Sequence, residues 1–236
     1  MISSPPDRNA SGASWVFLAF LVLTTCFLGG CAGTSSQYHS VAYQPASLSD
    51  LTVKVSLNLQ MVYVMEGDRC LMVTPTCVGK PGYPTPQGQF KVTSKNPTKR
   101  SETYGYWVNG KTWPGPATAS PGPDWSFVND PTTPYWVEIR PGKSSEPPGP
   151  GWSYIGYPMA YWVEFAPGFG FHEGPIWPYP RSHGCLHLHE TASAKFFELV
   201  QIGTPVEIAA TQPEDALYGR AAKRPTDYAD PVWMNC

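Results

Sequence analysis

Charge is what this sequence has least of, and neither sign is in surplus. Only 14% of its 236 residues are charged, and 16 basic against 18 acidic side chains leave a formal charge of −2. A chain so balanced offers no phosphate-neutralising face, which excludes nucleic acid as an expected partner. Long apolar runs are also missing. The uncharged stretch 15–30, WVFLAFLVLTTCFLGG, is too short to span a bilayer comfortably, which takes about 20 residues. Apolar residues at helical spacing are scarce, and the proline-rich middle, 96–151, has no such stretch of useful length. Abundant instead are 27 prolines and 22 glycines, together more than a fifth of the chain, beside 9 tryptophans and 13 tyrosines. With 42% of its residues apolar the chain can bury the core of one ordinary domain. This is no disordered composition, and rigid turns joining short strands fit it better than long helices.

A disulfide framework is a further absence, despite six cysteines. The stretch 15–30 is preceded by Arg8 and followed at once by Cys31, the pattern of a targeting segment. Leu28-Gly29-Gly30-Cys31 resembles the lipobox of bacterial lipoproteins. The resemblance implies a signal peptide over 1–30, a diacylated Cys31, a polar tether over 31–50, and an exported protein held to a membrane by lipid, facing the periplasm or cell wall. An uncleaved signal anchor is the alternative. If Cys26 leaves with the signal and Cys31 is lipidated, Cys70, Cys77, Cys185 and Cys236 remain. Cys70 and Cys77 lie roughly 20 Å apart in an extended chain, so they pair only if it folds back between them. Pairing of either with Cys236 stays open in an exported compartment.

Along the chain the pattern is β. Across 51–64, Val53, Val55, Leu57 and Leu59 alternate with Lys54, Ser56, Asn58 and Gln60, the two-residue period of a half-buried strand. Glu66-Gly67-Asp68 supplies a turn before the apolar run 69–73, which predicts a hairpin. A short strand follows at 90–93, and 96–151 reads as long loops carrying short strands, among them 135–139 with its echo at 161–165. One helix is predicted, over 191–201, with Ala194, Phe197, Leu199 and Val200 inward and Gly203 ending it; 205–208 reads as a closing strand. The segment 210–236 is a polar tail to which the sequence assigns no role.

Chemistry concentrates in 171–189, FHEGPIWPYPRSHGCLHLH, which holds four of the five histidines and a cysteine. A thiol becomes a useful nucleophile when a nearby imidazole takes its proton, and the two need be close only in the fold. Cys185 as nucleophile and His172 as base are suitably separated. Gly184 lets backbone approach a substrate closely, and the Cys185 amide can help stabilise an oxyanion. Trp177 and Tyr179, between base and nucleophile, are candidates to line a cleft, and Arg181 to meet a carboxylate; packing and a solvated loop cation are the commoner roles of such residues. Trp107, Trp113, Trp125, Trp136, Trp152 and Trp162 are read as packing, as are the thiols of Cys70 and Cys77 unless they form a stabilising disulfide.

With His172, nine intervening residues and then Ser182-His183-Gly184-Cys185, the sequence resembles the YkuD family of L,D-transpeptidases. The likeness runs over roughly 51–208, within a catalytic domain placed at 51–209, and takes in Gly79-Lys80, Thr85-Pro86 before Gly88, and the ending Gly203-Thr204-Pro205-Val206. It implies a mainly β, sandwich-like fold with one short helix after the catalytic cysteine. It implies a two-step acyl transfer on peptidoglycan stem peptides: Cys185 attacks the carbonyl of the third stem residue and expels the terminal D-alanine. The thioester then passes to a stem amine in a 3-3 cross-link, to a protein lysine, or to water. His172 is the base, oriented by the Glu173 carbonyl; Ser182, His183 and Gly184 shape the site; carbapenem-type inhibitors should acylate Cys185; no cofactor or metal is needed.

Two positions depart from the family pattern. His187 stands where arginine or asparagine is usual, and Glu173 where glycine commonly follows the base. Arginine can fork onto a carboxylate and imidazole cannot, so His187, counted among the substrate-binding candidates with Ser182, Trp177, Tyr179 and Arg181, bears on substrate preference. Other readings stay open: an L,D-carboxypeptidase hydrolysing the same bond, or a wall-associated lipoprotein without catalysis, one that holds metal on His183, Cys185, His187 and His189 if their alternation puts all four on one face. A catalytic Cys185 is expected to be accessible, with its pKa depressed.

Overall fold

Nine strands run in the spatial order β4-β13-β1-β2-β3-β12-β11-β10-β5, and the chain between β5 and β10 builds a second sheet of four, β7-β8-β6-β9. The computed structural model describes residues 38–112, 125–128 and 135–226. The expected signal peptide over 1–30, Cys31, Trp113 and Cys236 lie outside them.

β1 (Leu51–Ser56) and β2 (Met61–Glu66) are antiparallel, joined by the turn at 57–60, so the alternation across 51–64 belongs to two strands and not to one. The alternation misleads because Leu57 and Leu59 continue the apolar rhythm through a turn in which Gln60 takes a positive φ of 51°. β3 (Arg69–Cys77) completes the hairpin around Gly67-Asp68. β2 reads MVYVM without alternation because both its faces are covered. Val62 and Val64 enter the main core, whereas Met61, Tyr63 and Met65 pack on the other side against Leu59, Cys70, Val73, Tyr218 and Ala222. The tail supplies that second cover. The Tyr63 hydroxyl donates to Asp215 at 2.6 Å, Ser56 donates to the same carboxylate at 2.8 Å, and Lys54 pairs with Glu214 at 2.6 Å. At the other end, Ala42 bridges Met72 and Lys195 donates to the Ser40 carbonyl, so residues 40–43 lie against β3 and the helix.

β4 (Gly88–Lys91) pairs with β13 (Pro205–Ala209), which runs parallel to β1. β5 (Ser94–Asn96) pairs with β10 (Trp162–Ala166), then come β11 (Phe169–Glu173) and β12 (Leu186–Leu188). The sheet curls until its ends meet: the Phe90 and Phe165 rings are 5.3 Å apart, and Thr93 donates to the Glu164 carbonyl. One core of Val, Leu, Ile and Phe fills the fold between its halves.

The helix, α1 (Glu190–Leu199), caps that core through Ala192, Phe196 and Leu199, with Phe196 packed on Phe171 at 4.6 Å. Leu199 and Val200 are buried as the sequence suggests, but Ala192 and Phe196 take the inward places expected of Ala194 and Phe197, and the helix begins at Glu190 after the His189 N-cap. The segment 96–151 is more regular than loops with short strands. β6 (Arg100–Thr112), β7 (Trp125–Val128), β8 (Tyr135–Lys143) and β9 (Trp152–Pro158) form an antiparallel sheet with β6 at its centre. No helix among the described residues is long and apolar enough to cross a membrane.

Candidate active site

β11 and β12 are parallel neighbours, with Phe171 opposite Leu186 and His172 opposite His187. Side chains alternate along each strand, so Phe171, Leu186 and Leu188, all fully buried, point into the core. His172 and His187 stand on the other face. Cys185, two residues before His187, shares that face at the level of Gly170. Thus the two-residue period that buries the leucines sets His172 and Cys185, the expected base and nucleophile, on the same face of adjacent strands.

Four rings line this face. His172 lies 4.7 Å from His187 and 6.0 Å from Trp162 on β10, and Trp177 covers His187 from the far side at 6.0 Å. Two glycines make room for them. A Cβ on Gly170 would sit 2.8 Å from the Trp162 ring, and one on Gly174 would sit 3.0 Å from the His187 ring. Trp162 therefore leans over Gly170, the strand neighbour of Cys185.

Each imidazole is anchored through one nitrogen. His172 Nδ1–H donates to the Glu173 carbonyl at 2.7 Å, and His187 Nδ1–H to the Pro175 carbonyl at 3.1 Å, which leaves Nε2 of both rings with a lone pair. Burial disfavours the imidazolium and pulls His172 down to about 4, and burial together with the neighbouring His172 pulls His187 down to about 3. Both are neutral at neutral pH.

The Cys185 thiol is half-buried and donates to the Gly168 carbonyl at 3.8 Å. Burial pushes its pKa up, with the Gly170 amide and the Lys99 charge pulling the other way. This corrects the expectation of a depressed value: neutral imidazoles supply no charge to offset the cost of burying a thiolate. The resting pair is thiol and imidazole.

The turn before β12 is held by Ser182. Its hydroxyl donates to the Cys185 carbonyl at 2.6 Å and accepts from the Gly184 amide at 3.1 Å. Gly184 has φ of 109°, and a Cβ there would meet the Phe169 ring at 2.6 Å. Thr85 ties the 79–85 loop to this turn, accepting from the Gly79 amide at 3.0 Å and donating to the Gly184 carbonyl at 2.9 Å. Ser182 is thus engaged inside the turn, beneath the thiol.

The remaining candidates are dispersed. His183 is exposed and wedged between Tyr83 at 4.6 Å and Tyr104 of β6 at 4.8 Å. Trp177 is buried on His187, with the Arg181 guanidinium over its other side at 4.9 Å. Tyr179 is about half exposed and accepts from Arg181 at 3.2 Å. His189 accepts from the Thr191 amide as the helix cap. The alternating histidines therefore do not share one face, because the turn at 182–184 and the helix cut the strand to three residues. Among the described residues no cluster of three or more His, Cys, Asp or Glu could hold a metal ion. Cys70 and Cys77 are free thiols, and Cys77, buried, sits opposite His187 on β3. Sequence reasoning missed Trp162, Gly170, Tyr104 and Lys99 as neighbours of the site; only the 161–165 echo drew notice to one of them.

The model of the L,D-transpeptidase catalytic domain, YkuD, matches residues 50–208. The chain belongs to the YkuD family. Comparison with curated proteins finds no match. Among solved structures this YkuD chain is similar to an L,D-transpeptidase from Stackebrandtia nassauensis (20% identity, 73% of this chain and 60% of that one, TM-score 0.42). It is similar to one from Mycobacterium smegmatis (18%, 68% and 59%, 0.44) and to Mycobacterium tuberculosis L,D-transpeptidase 1 (22%, 67% and 60%, 0.40). It spans about 60% of the length of these structures.

Proposed function

We propose that this YkuD domain is a cysteine acyltransferase of peptidoglycan stem peptides, with Cys185 as nucleophile and His172 as general base. The observation that carries the reading is the pairing of β11 with β12, which sets the thiol and an imidazole with a free Nε2 on one outer face. Because the resting pair is neutral, the proton leaves Sγ for His172 Nε2 as sulfur attacks the carbonyl of the penultimate stem residue. The C–S bond forms, the bond to the terminal D-alanine nitrogen breaks, and the imidazolium returns its proton to that departing amine. An acceptor amine then attacks the thioester, loses its proton to His172, and releases Cys185 as thiol. Keeping both imidazoles neutral suits this role, since a protonated His172 could not begin the cycle.

Ser182 and Gly184 fix the turn that aims the sulfur, and His183 holds that turn to Tyr83 and Tyr104. The chain is also read as exported and lipid-anchored through Cys31, with 1–30 as signal, 51–209 as the catalytic domain and 210–236 as its tail. Carbapenem-type compounds are expected to acylate Cys185; one solved L,D-transpeptidase is in complex with imipenem.

The test is mass spectrometry of the products formed from purified tetrapeptide muropeptides, beside a Cys185→Ala control. Dimers lacking one D-alanine, absent from the control, are the expected result. Tripeptide alone would make the enzyme a carboxypeptidase. Unchanged substrate and no carbapenem adduct would overturn the reading in favour of a non-catalytic wall lipoprotein.

A further inference from the structure

We propose that Lys99 binds the terminal carboxylate of the acyl donor and so restricts the enzyme to donors whose leaving residue is the last of its chain. The proposal rests on the acyl-transfer reading of Cys185 above.

The position of Lys99 is fixed by backbone. The Met159 amide donates to its carbonyl at 2.8 Å and the Tyr161 amide to the Pro97 carbonyl at 3.0 Å, which holds the segment leading into β6 beside the start of β10. Its ammonium lies 5.5 Å from the centroid of Trp162, and Trp162 lies on Gly170, the strand neighbour of Cys185. Lysine, indole, glycine and thiol therefore follow one another in contact. The lysine charge is felt at the sulfur, where it opposes the effect of burial.

The chemistry needs a cation there. A donor that loses its last residue brings an α-carboxylate within a few bonds of the scissile nitrogen, and a carboxylate entering a half-buried site must be paired. The described polar groups around the thiol do not offer that charge. His172 and His187 are neutral, and the Ser182 hydroxyl is consumed inside the turn. Arg181 lies on Trp177, at the opposite end of the row of rings. The acid on the neighbouring strand, Glu164, is turned to Ser94 at 2.8 Å and to the Gly168 amide at 3.2 Å. Lys99 has a counter-ion suited to exchange: Glu102, 3.3 Å away, with a side chain 88% exposed. A pair so exposed contributes little, so a substrate carboxylate can displace Glu102 at small cost.

The test compares two tetrapeptide-stem donors, one ending in a free carboxylate and one in a carboxamide, on the wild type, Lys99→Met and Lys99→Arg. Lys99→Met should raise KM for the carboxylate donor about tenfold, the effect of losing a charge-assisted contact, with kcat little changed. Lys99→Arg should restore most of the loss, and the carboxamide donor should be handled alike by all three. Equal losses on both donors, or none on either, would overturn the proposal. Binding of the two peptides to Cys185→Ala protein, with and without Lys99→Met, separates this proposal from its parent. A carboxylate preference that vanishes with Lys99 supports it even if the wild type proves unable to turn over either donor. Absence of that preference overturns it even if the acyl transfer is real.

Discussion

Ser182 shows how much one hydroxyl can organise. It joins the Gly184 amide to the Cys185 carbonyl and thereby closes the turn that carries Cys185, and it is buried while doing so. Replacing it by alanine leaves a buried amide and a carbonyl each short of a partner, a loss of about 1–3 kcal/mol. The larger consequence is positional, since a thiol displaced by about 1 Å can lose two orders of magnitude in rate. Ser182→Ala should therefore stay folded at 25 °C in circular dichroism but react with a carbapenem at least tenfold more slowly, as read by intact mass against time. An unchanged acylation rate would show that the turn holds itself. Gly170 works in the opposite way, by what it lacks: without a Cβ, the strand beside Cys185 can carry the Trp162 ring.

Among the elements, α1 depends on an unusual cap. His189 Nδ1 accepts from the Thr191 amide at 3.2 Å, and its ring meets Tyr38 edge-on at 4.9 Å. His189→Ala should cost about 1 kcal/mol, the usual worth of an N-cap, measured as a lower urea midpoint at unchanged slope. A shift near zero would assign the start of α1 to Glu190 and backbone alone. The strands were legible where their two faces differ in polarity: Val53 and Val55 against Lys54 in β1 gave their orientation directly. The 171–189 cluster was legible as well, since histidine and cysteine are rare enough to stand out by type. The second sheet was not, because its glycines read as loop punctuation. Gly105 and Gly156 are instead demanded by close strand approach: a Cβ on either would fall within 2.3 Å of a neighbouring carbonyl oxygen. Lys99 and Trp162 were equally invisible, since their relation to Cys185 exists only once β10, β11 and β12 lie side by side.

For the whole molecule, the two buried histidines of the site tie stability to pH. Both have folded-state pKa values below the ordinary 6.5, at about 4 for His172 and about 3 for His187. Well above pH 6.5 neither the folded nor the unfolded chain protonates them, and they leave stability unchanged. As pH falls below 6.5 the unfolded chain takes up protons that the folded chain refuses, so unfolding becomes easier. The loss grows until it is complete near pH 4 for His172 and near pH 3 for His187. For His172 alone the total is roughly 3 kcal/mol. Between pH 7 and pH 4.5 the urea midpoint of the wild type should drop, and that of His187→Gln, with one fewer group to titrate, should drop less. Equal drops would remove His187 from the account. Catalysis should follow a different course, because the base is lost only when His172 itself protonates. Initial rates per folded molecule should hold down to pH 5 while stability is already falling. A rate that declined in step with an ordinary histidine, half gone near pH 6.5, would mean that His172 is open to water and not held neutral beneath Trp162 and His187.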